Sequence, residues 1–150
     1  MGRAVAVRRP YEWQEQQALF EWARLHEQAE PRLSLLYHSP NGELRTKATA
    51  AKLQQMGVKS GVPDVHLPIS VQVLVVGAAG FVVPQIYHGC WIELKRLRGV
   101  AQATPAQAWW ITRLIEEGHY AAVCHGWVEA ARKLCWYLHR PDLGDMLDLR

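Results

Sequence analysis

The sequence predicts an α/β domain in which a mixed central β-sheet is flanked by helices. Three observations support this prediction. The chain has 150 residues, of which 49% are hydrophobic and 21% charged, and this fits a single globular domain. Segments with helical spacing of apolar residues alternate along the chain with short apolar segments of strand length. Two of those short segments flank a Gly-containing connection, which is typical of an antiparallel hairpin.

Four elements are predicted before residue 70. Pro10 suits the start of a helix, apolar residues then recur at three- and four-residue spacings, and Pro31 ends that helix. Gly57 provides the C-terminal stop of a second helix. The predicted elements are a helix over residues 11–29, a strand over 33–38, a helix over 46–56 and a strand over 65–67.

The rest of the chain is predicted to hold the hairpin, two further strands and two helices. Thr104, Pro105 and Gln107 have the pattern of an N-cap, a first-position proline and a capping box, so a helix begins there. The predicted elements are hairpin strands over 71–76 and 81–83, a strand over 90–95, a helix over 104–117, a strand over 120–124 and a helix over 127–138. The domain then spans residues 11–138, between an N-terminal tail (1–10) and a C-terminal tail (139–150).

The composition argues against membrane and secreted classes. The longest mostly apolar segment, residues 73–84, is interrupted by glycines and is shorter than the roughly 17–25 residues of a membrane-spanning helix. No apolar segment of a secretory signal follows the basic N-terminus. Three cysteines, an odd number in apolar surroundings, argue against a disulfide framework. We therefore expect a cytoplasmic protein with buried thiols and no membrane partner.

Positive charge is concentrated in the middle of the chain. The net charge is +3, but residues 31–99 contain eight Lys and Arg against three acids. Such a segment fits an anionic ligand such as nucleic acid, although charge alone fits a solvated basic face equally well. The residues that we expect to contact phosphates are Arg45, Lys47, Lys52, Lys59, Arg96 and Arg98.

Asp64, Glu93 and Lys95 are the strongest candidates for a catalytic centre. Alternate residues of a strand share one face, so Glu93 and Lys95 point the same way. If the strand after Asp64 pairs with theirs, two carboxylates and an ammonium group converge. Two carboxylates with open positions suit Mg²⁺ or Mn²⁺, which can activate water for phosphodiester hydrolysis. The alternative for Glu93 and Lys95 is a solvent-facing ion pair on an edge strand.

A series of motifs lies in order between residues 11 and 138. They are EWQEQ (12–16), HSPNG (38–42), GVKSGVPD (57–64), IELKR (92–96), TPAQ (104–107) followed by Trp110, GHY (118–120) and VCHGW (123–127). Together they resemble the VRR-NUC family of the PD-(D/E)xK nuclease superfamily, especially its small standalone members from phages and bacteria. The resemblance implies a restriction-endonuclease-like fold and Mg²⁺- or Mn²⁺-dependent cleavage of DNA, often at branched or flapped structures.

The resemblance also implies roles for individual residues. Asp64 and Glu93 match the metal-binding carboxylates, the backbone carbonyl of Leu94 a further metal ligand, and Lys95 the catalytic lysine. Glu12 matches the acid of the first helix, as a catalytic residue and metal ligand, because it stands four residues before Gln16, and it is preferred to Glu15. Gln107 matches a catalytic glutamine, although a capping box explains it equally well. One departure is the segment 68–89, which is longer than the hairpin expected in the family.

These observations favour a metal-dependent DNA endonuclease. The alternatives are a DNA-binding module that does not cut and a metal-independent interaction protein. A domain of this length has a radius of gyration of only about 15 Å, too small for one active site to hold two separated strands of a junction. We therefore predict a symmetric homodimer that acts on four-way or otherwise branched DNA.

Trp109 and Trp110 permit two interpretations. Adjacent indoles could stack on bases. Because they neighbour Ile111 and Leu114 at helical spacing, packing in the core or at a dimer interface is the favoured interpretation.

Overall fold

The computed structural model describes residues 11–40, 47–97, 102–145 and 147. None of the helices in these ranges is long and apolar enough to cross a membrane. In chain order, the structure contains α1 (Glu12–His26), a 3₁₀ helix (Pro31–Leu35), β1 (Tyr37–His38), α2 (Lys47–Gln55), β2 (Val65–Leu67), β3 (Val71–Val76), β4 (Val82–Tyr87), β5 (Cys90–Lys95), α3 (Pro105–Glu116), β6 (Tyr120–His125), α4 (Trp127–Tyr137) and α5 (Pro141–Asp145).

The central sheet has four strands in the order β1-β2-β5-β6. β1 pairs with β2 and β2 with β5 in antiparallel fashion, whereas β5 and β6 are parallel. The sheet is therefore mixed, as predicted. Val65 pairs with Ile92, so Asp64, which immediately precedes β2, lies beside Glu93. The pairing on which the proposed convergence of carboxylates depended is present.

The two faces of β5 have different chemistry. Cys90, Ile92 and Leu94 are buried in the hydrophobic core, which also includes residues of α1 and α4. Because side chains alternate along a strand, Trp91, Glu93 and Lys95 belong to the opposite face. All three cysteines are free and buried, as expected for core thiols. Glu93 and Lys95 are thus on the face of β5 that lies opposite the hydrophobic core.

Three elements differ from their predictions. Residues 31–35 form a 3₁₀ helix instead of the first part of a strand, because Pro31 occupies its first turn and the Glu30 side chain accepts a hydrogen bond from the Arg32 N–H. Only Tyr37–His38 is left as β1. β4 extends to Tyr87, and the hairpin of β3 and β4 forms a two-stranded sheet of its own. The predicted start of the second helix at Thr46 lies outside the described residues.

The packed domain continues beyond residue 138. The segment 139–150 was predicted as a tail, but Pro141–Asp145 forms α5, and Leu143 and Leu147 are buried in the core. Arg140 ties this segment to the rest of the domain, because its guanidinium donates hydrogen bonds to the carbonyl of Ala29 and to the Glu30 carboxylate. The core therefore extends at least to residue 147. The predicted N-terminal tail, 1–10, lies outside the described residues.

Candidate functional site

Asp64 is fixed at the start of β2 by backbone contacts. Its Oδ2 accepts a hydrogen bond from the Leu94 N–H at 2.9 Å, which joins it to β5. Its carbonyl oxygen accepts hydrogen bonds from the Ser39 N–H and from His38 Nδ1, both at 2.8 Å. The contact between His38 and Asp64 crosses 26 positions of the chain, and the register of β1 on β2 brings it about.

Glu93 is held by two donors on one of its two oxygens. Its Oε1 accepts hydrogen bonds from Lys95 Nζ, at 2.6 Å, and from Gln107 Nε2. The residue is only 1% exposed, and its Oε2 is buried without a hydrogen-bond partner. A buried carboxylate oxygen without a partner is costly unless a proton or a cation satisfies it. The geometry therefore provides an open acceptor beside Asp64.

The two carboxylates resist simultaneous ionisation. Burial, and then the adjacent charge of Asp64, raise the pKa of Glu93 to about 7, although Lys95 acts in the opposite direction. Burial also raises the pKa of Asp64, against the hydrogen bond from Leu94 and the charge of Lys95. The single positive charge of Lys95 does not compensate for two negative charges. A bound cation would therefore favour the ionised form of both Asp64 and Glu93.

The two glutamates of the first helix have different surroundings. Glu12 faces the carboxylates: its Oε2 lies 4.0 Å from Lys95 Nζ and its side chain is 48% exposed. Burial raises its pKa, and the charge of Lys95 opposes this shift. Glu15 is only 3% exposed, and its Oε2 accepts a hydrogen bond from the Trp127 N–H at 2.9 Å, at the start of α4. Glu15 therefore caps a distant helix, while Glu12 borders the candidate site.

Gln107 forms the predicted capping box and also contacts the candidate site. Its Oε1 accepts a hydrogen bond from the Thr104 N–H at 2.8 Å, and its own N–H donates to Thr104 Oγ1 at 3.3 Å, which completes a capping box at the start of α3. Its amide nitrogen simultaneously donates to Glu93. One side chain thus connects the first turn of α3 to the buried carboxylate.

The carboxylates of Asp64 and Glu93 form a small donor set for a divalent cation. Among the described residues, no group of three or more His, Cys, Asp or Glu side chains could enclose a metal ion. Two adjacent carboxylates with an unpartnered oxygen nevertheless fit Mg²⁺ or Mn²⁺, which bind through one or two carboxylates and leave positions for water and phosphate. Glu12, beyond Lys95, belongs to the rim of such an open site.

The predicted phosphate-contacting residues fall into two groups. Lys52, Lys59 and Arg96 are exposed, and the Arg96 guanidinium lies 4.8 Å from the centre of the Tyr11 ring. Arg45, Arg98 and the side chain of Lys47 lie outside the described residues. Arg96 directly follows Lys95, so one of the three described cations stands next to the carboxylates.

Comparison with known proteins was made by sequence and by fold. No family model matches the sequence, and no match is found among curated proteins. A solved structure described as a VRR_NUC domain protein is 30% identical, with 89% of this chain and 92% of that chain aligned and a TM-score of 0.66. At this identity and coverage the likeness extends over nearly the whole domain. The chain has a restriction-endonuclease-like fold with a nuclease-type domain, and it belongs to the VRR-NUC family.

Proposed function

We propose that this protein is a divalent-metal-dependent DNA endonuclease. The observation that supports this most directly is the pair formed by the half-buried Asp64 and the buried Glu93, with an unpartnered Glu93 oxygen beside Lys95. A module that only bound DNA would gain nothing from two carboxylates facing an anionic backbone, since they repel phosphate. Membership of the VRR-NUC family agrees with the proposal.

Asp64 and Glu93 would hold Mg²⁺ or Mn²⁺, and the carbonyl of Leu94 is a further predicted ligand. When bound, such an ion lowers the pKa of water and neutralises charge that develops on a phosphate. The chain's own residues complete the site. Lys95 is positioned by Glu93 to orient the attacking water and to offset negative charge, and Gln107 holds the Glu93 carboxylate in one orientation. Glu12 is placed at the rim, where it can accept a hydrogen bond from water.

The hydrolysis needs no further reactant. A water oxygen forms a bond to phosphorus and gives up one proton to the solvent, one phosphorus–oxygen ester bond breaks, and the departing DNA oxygen receives one proton from the solvent. Lys52, Lys59 and Arg96 would bind neighbouring phosphates, which gives affinity without base specificity. Selectivity for branched DNA, including four-way junctions and flaps, is part of the proposal.

The proposal includes a symmetric homodimer, for which the hairpin supplies a surface. One of its faces presents Leu74, Val76, Val82 and Ile86 to solvent, and residues 71–87 include no Asp, Glu, Lys or Arg. Contiguous exposed apolar patches above a few hundred Å² are uncommon on monomers. In a twofold interface the same face meets itself, and a face without charge brings no like charges together. Substitution of Val76 by Glu should give a monomer by light scattering, whereas a wild-type monomer at micromolar concentration would contradict the dimer.

The decisive experiment is a cleavage assay on linear, flapped and four-way-junction DNA, with Mg²⁺, with Mn²⁺ and with EDTA. We expect cleavage only with metal, and its loss in Asp64→Asn, Glu93→Gln and Lys95→Ala. Glu116→Gln is the matched control, because Glu116 forms an exposed pair with Arg113 on α3. Undiminished cutting by Asp64→Asn with a native circular dichroism spectrum would remove the assignment. Metal-independent binding without cleavage would favour a DNA-binding module.

A further inference from the structure

Trp109 is exposed on α3, contrary to the favoured interpretation of the sequence. Its side chain is 58% exposed, and its ring stands nearly perpendicular to that of Trp110, with the centroids 5.5 Å apart and an angle of 88° between the planes. The residue of this helix that is buried is Leu114. An exposed indole leaves a large flat surface that a ligand can contact.

Trp110 is a fixed wall beside this indole. Its Nε1 donates a hydrogen bond to the carbonyl of Ser60 at 3.1 Å. The loop that contains Ser60 is pressed against the start of α3, because a Cβ at Gly61 would lie 2.7 Å from the carbonyl carbon of Ala106, and Gly61 has a φ of +82°. Only glycine fits there. The loop and the helix therefore form one rigid corner.

Two depressions share Trp110 and Lys59 as lining residues. One, of about 420 Å³, also includes Trp109 and Ala106, and the other, of about 460 Å³, includes His38. Both volumes fall in the range of about 300–1,000 Å³ that is usual for small-molecule sites. We call the pair the tryptophan cleft. No Asp or Glu is among the described residues that line it, and Lys59 supplies positive charge.

The walls of the tryptophan cleft are connected to Glu93 through Gln107 and to the backbone of Asp64 through His38. Ala106, in its wall, precedes Gln107, which donates a hydrogen bond to Glu93. His38, in the wall of the other depression, donates a hydrogen bond to the carbonyl of Asp64. These contacts put the cleft on the side of the candidate site that is formed by α3 and β1, from which a nucleotide could extend to a phosphate at the carboxylates.

We propose that the tryptophan cleft binds an unpaired nucleobase next to the cleaved phosphate, with its ring on Trp109 and its phosphate at Lys59. Flat aromatic walls, a cation and the lack of acids are the chemistry of single-stranded nucleic acid sites. Bases inside a duplex are stacked on one another and cannot enter, so the cleft selects DNA with an unpaired segment at a branch. This inference rests on the proposed nuclease function and specifies which part of the DNA the chain recognises.

The test uses flapped DNA with 2-aminopurine at each of the first three unpaired positions, and matched linear duplex, in EDTA so that no strand is cut. In the wild type, stacking on indole should quench fluorescence at one position. Trp109→Ala should lose that quenching and weaken binding of the flapped DNA about tenfold or more, with duplex binding unchanged. Trp109→Phe should retain most of both. Trp13→Ala, which removes an indole that is 63% exposed on α1, is the matched control.

The outcomes separate the inference from the function on which it rests. Unchanged binding of flapped DNA by Trp109→Ala overturns the inference, and so does an equal loss for flapped and linear DNA, because Trp109 would then be a general contact. Circular dichroism and thermal melting of each variant show that the fold is kept. Cleavage by the wild type with Mn²⁺ is measured separately, so absence of cutting would overturn the nuclease proposal even where quenching is observed.

Discussion

Substitution of Glu93 by Gln should stabilise the metal-free protein at alkaline pH. Burial and the neighbouring Asp64 raise the pKa of Glu93 from 4.5 to about 7. Between these two values the folded protein retains a proton that the unfolded chain releases, so the free energy of unfolding falls as the pH rises through this window. This loss in the free energy of unfolding is absent below pH 4.5 and complete above pH 7. Gln is neutral at every pH and does not incur it.

The size of the effect follows from the shift and from the contacts that remain. A shift from 4.5 to about 7 corresponds to at most about 3–4 kcal/mol, since each unit is worth about 1.4 kcal/mol. The Gln Oε1 can still accept hydrogen bonds from Lys95 and Gln107, but the ion pair with Lys95 is lost. We therefore expect a net gain of about 1–3 kcal/mol at pH 8 and little change at pH 5.

Urea unfolding followed by circular dichroism, in EDTA at pH 5 and at pH 8, measures this difference, with Glu116→Gln as the control. Mn²⁺ should then stabilise the wild type at pH 8 and have a much smaller effect on Glu93→Gln, because a ligand that binds only the folded state raises its stability. If Glu93→Gln is no more stable than the wild type at pH 8 in EDTA, the carboxylates do not repel each other as described, and the electrostatic argument for a cation site fails.

Three further predictions concern the surroundings of the carboxylates. Glu12→Gln should keep the stability of the wild type and lose most of the metal-dependent cleavage. Glu15→Gln should lower the free energy of unfolding in urea by about 0.3–1 kcal/mol, because α4 loses its charged cap, and should cleave within a few-fold of wild type. The reverse result would make Glu15 the acid of the site. Gln107→Ala should lower kcat, because Glu93 loses a donor, while Thr104→Ala should only lower the melting temperature; equal kcat values would reduce Gln107 to a helix cap. Lys59→Gln should lower the slope of log Kd against log salt by about one, and an unchanged slope would exclude a phosphate contact.

The strand that provides Glu93 and Lys95 could be predicted from local pattern alone. The bounds of β2, β3 and β5 coincide with those expected from apolar runs and turn residues. Alternation along β5 then places Glu93 and Lys95 on the face opposite to Ile92 and Leu94. The pairing of β2 with β5 could only be assumed, because about 20 residues separate the two strands and no local signal determines their register.

Other features of the site and the core depend on contacts between segments that are distant in sequence. The spacing of apolar residues carries no information about such contacts. The Glu15 side chain reaches an N–H 112 positions away, so its function as a cap of α4 is invisible in the sequence of α1. Helical spacing could not reveal that Trp109 is exposed, because the same spacing fits a buried and an exposed face. The burial of Leu143 and Leu147 likewise depends on how α5 and the residues after it pack on the core.

Gln107 connects recognition and chemistry in the proposed nuclease. Its amide holds Glu93 from one side, and its carbonyl oxygen caps the helix turn that carries Ala106 and, on the next turn, Trp110. A base bound in the tryptophan cleft would contact this same turn of α3. One rigid element would then both bind the base and orient the Glu93 carboxylate. Trp109 itself touches neither carboxylate. Its removal should therefore raise KM for branched DNA more than it lowers kcat, whereas removal of Gln107 should do the opposite. A fall in kcat alone on substitution of Trp109 would break this separation of roles.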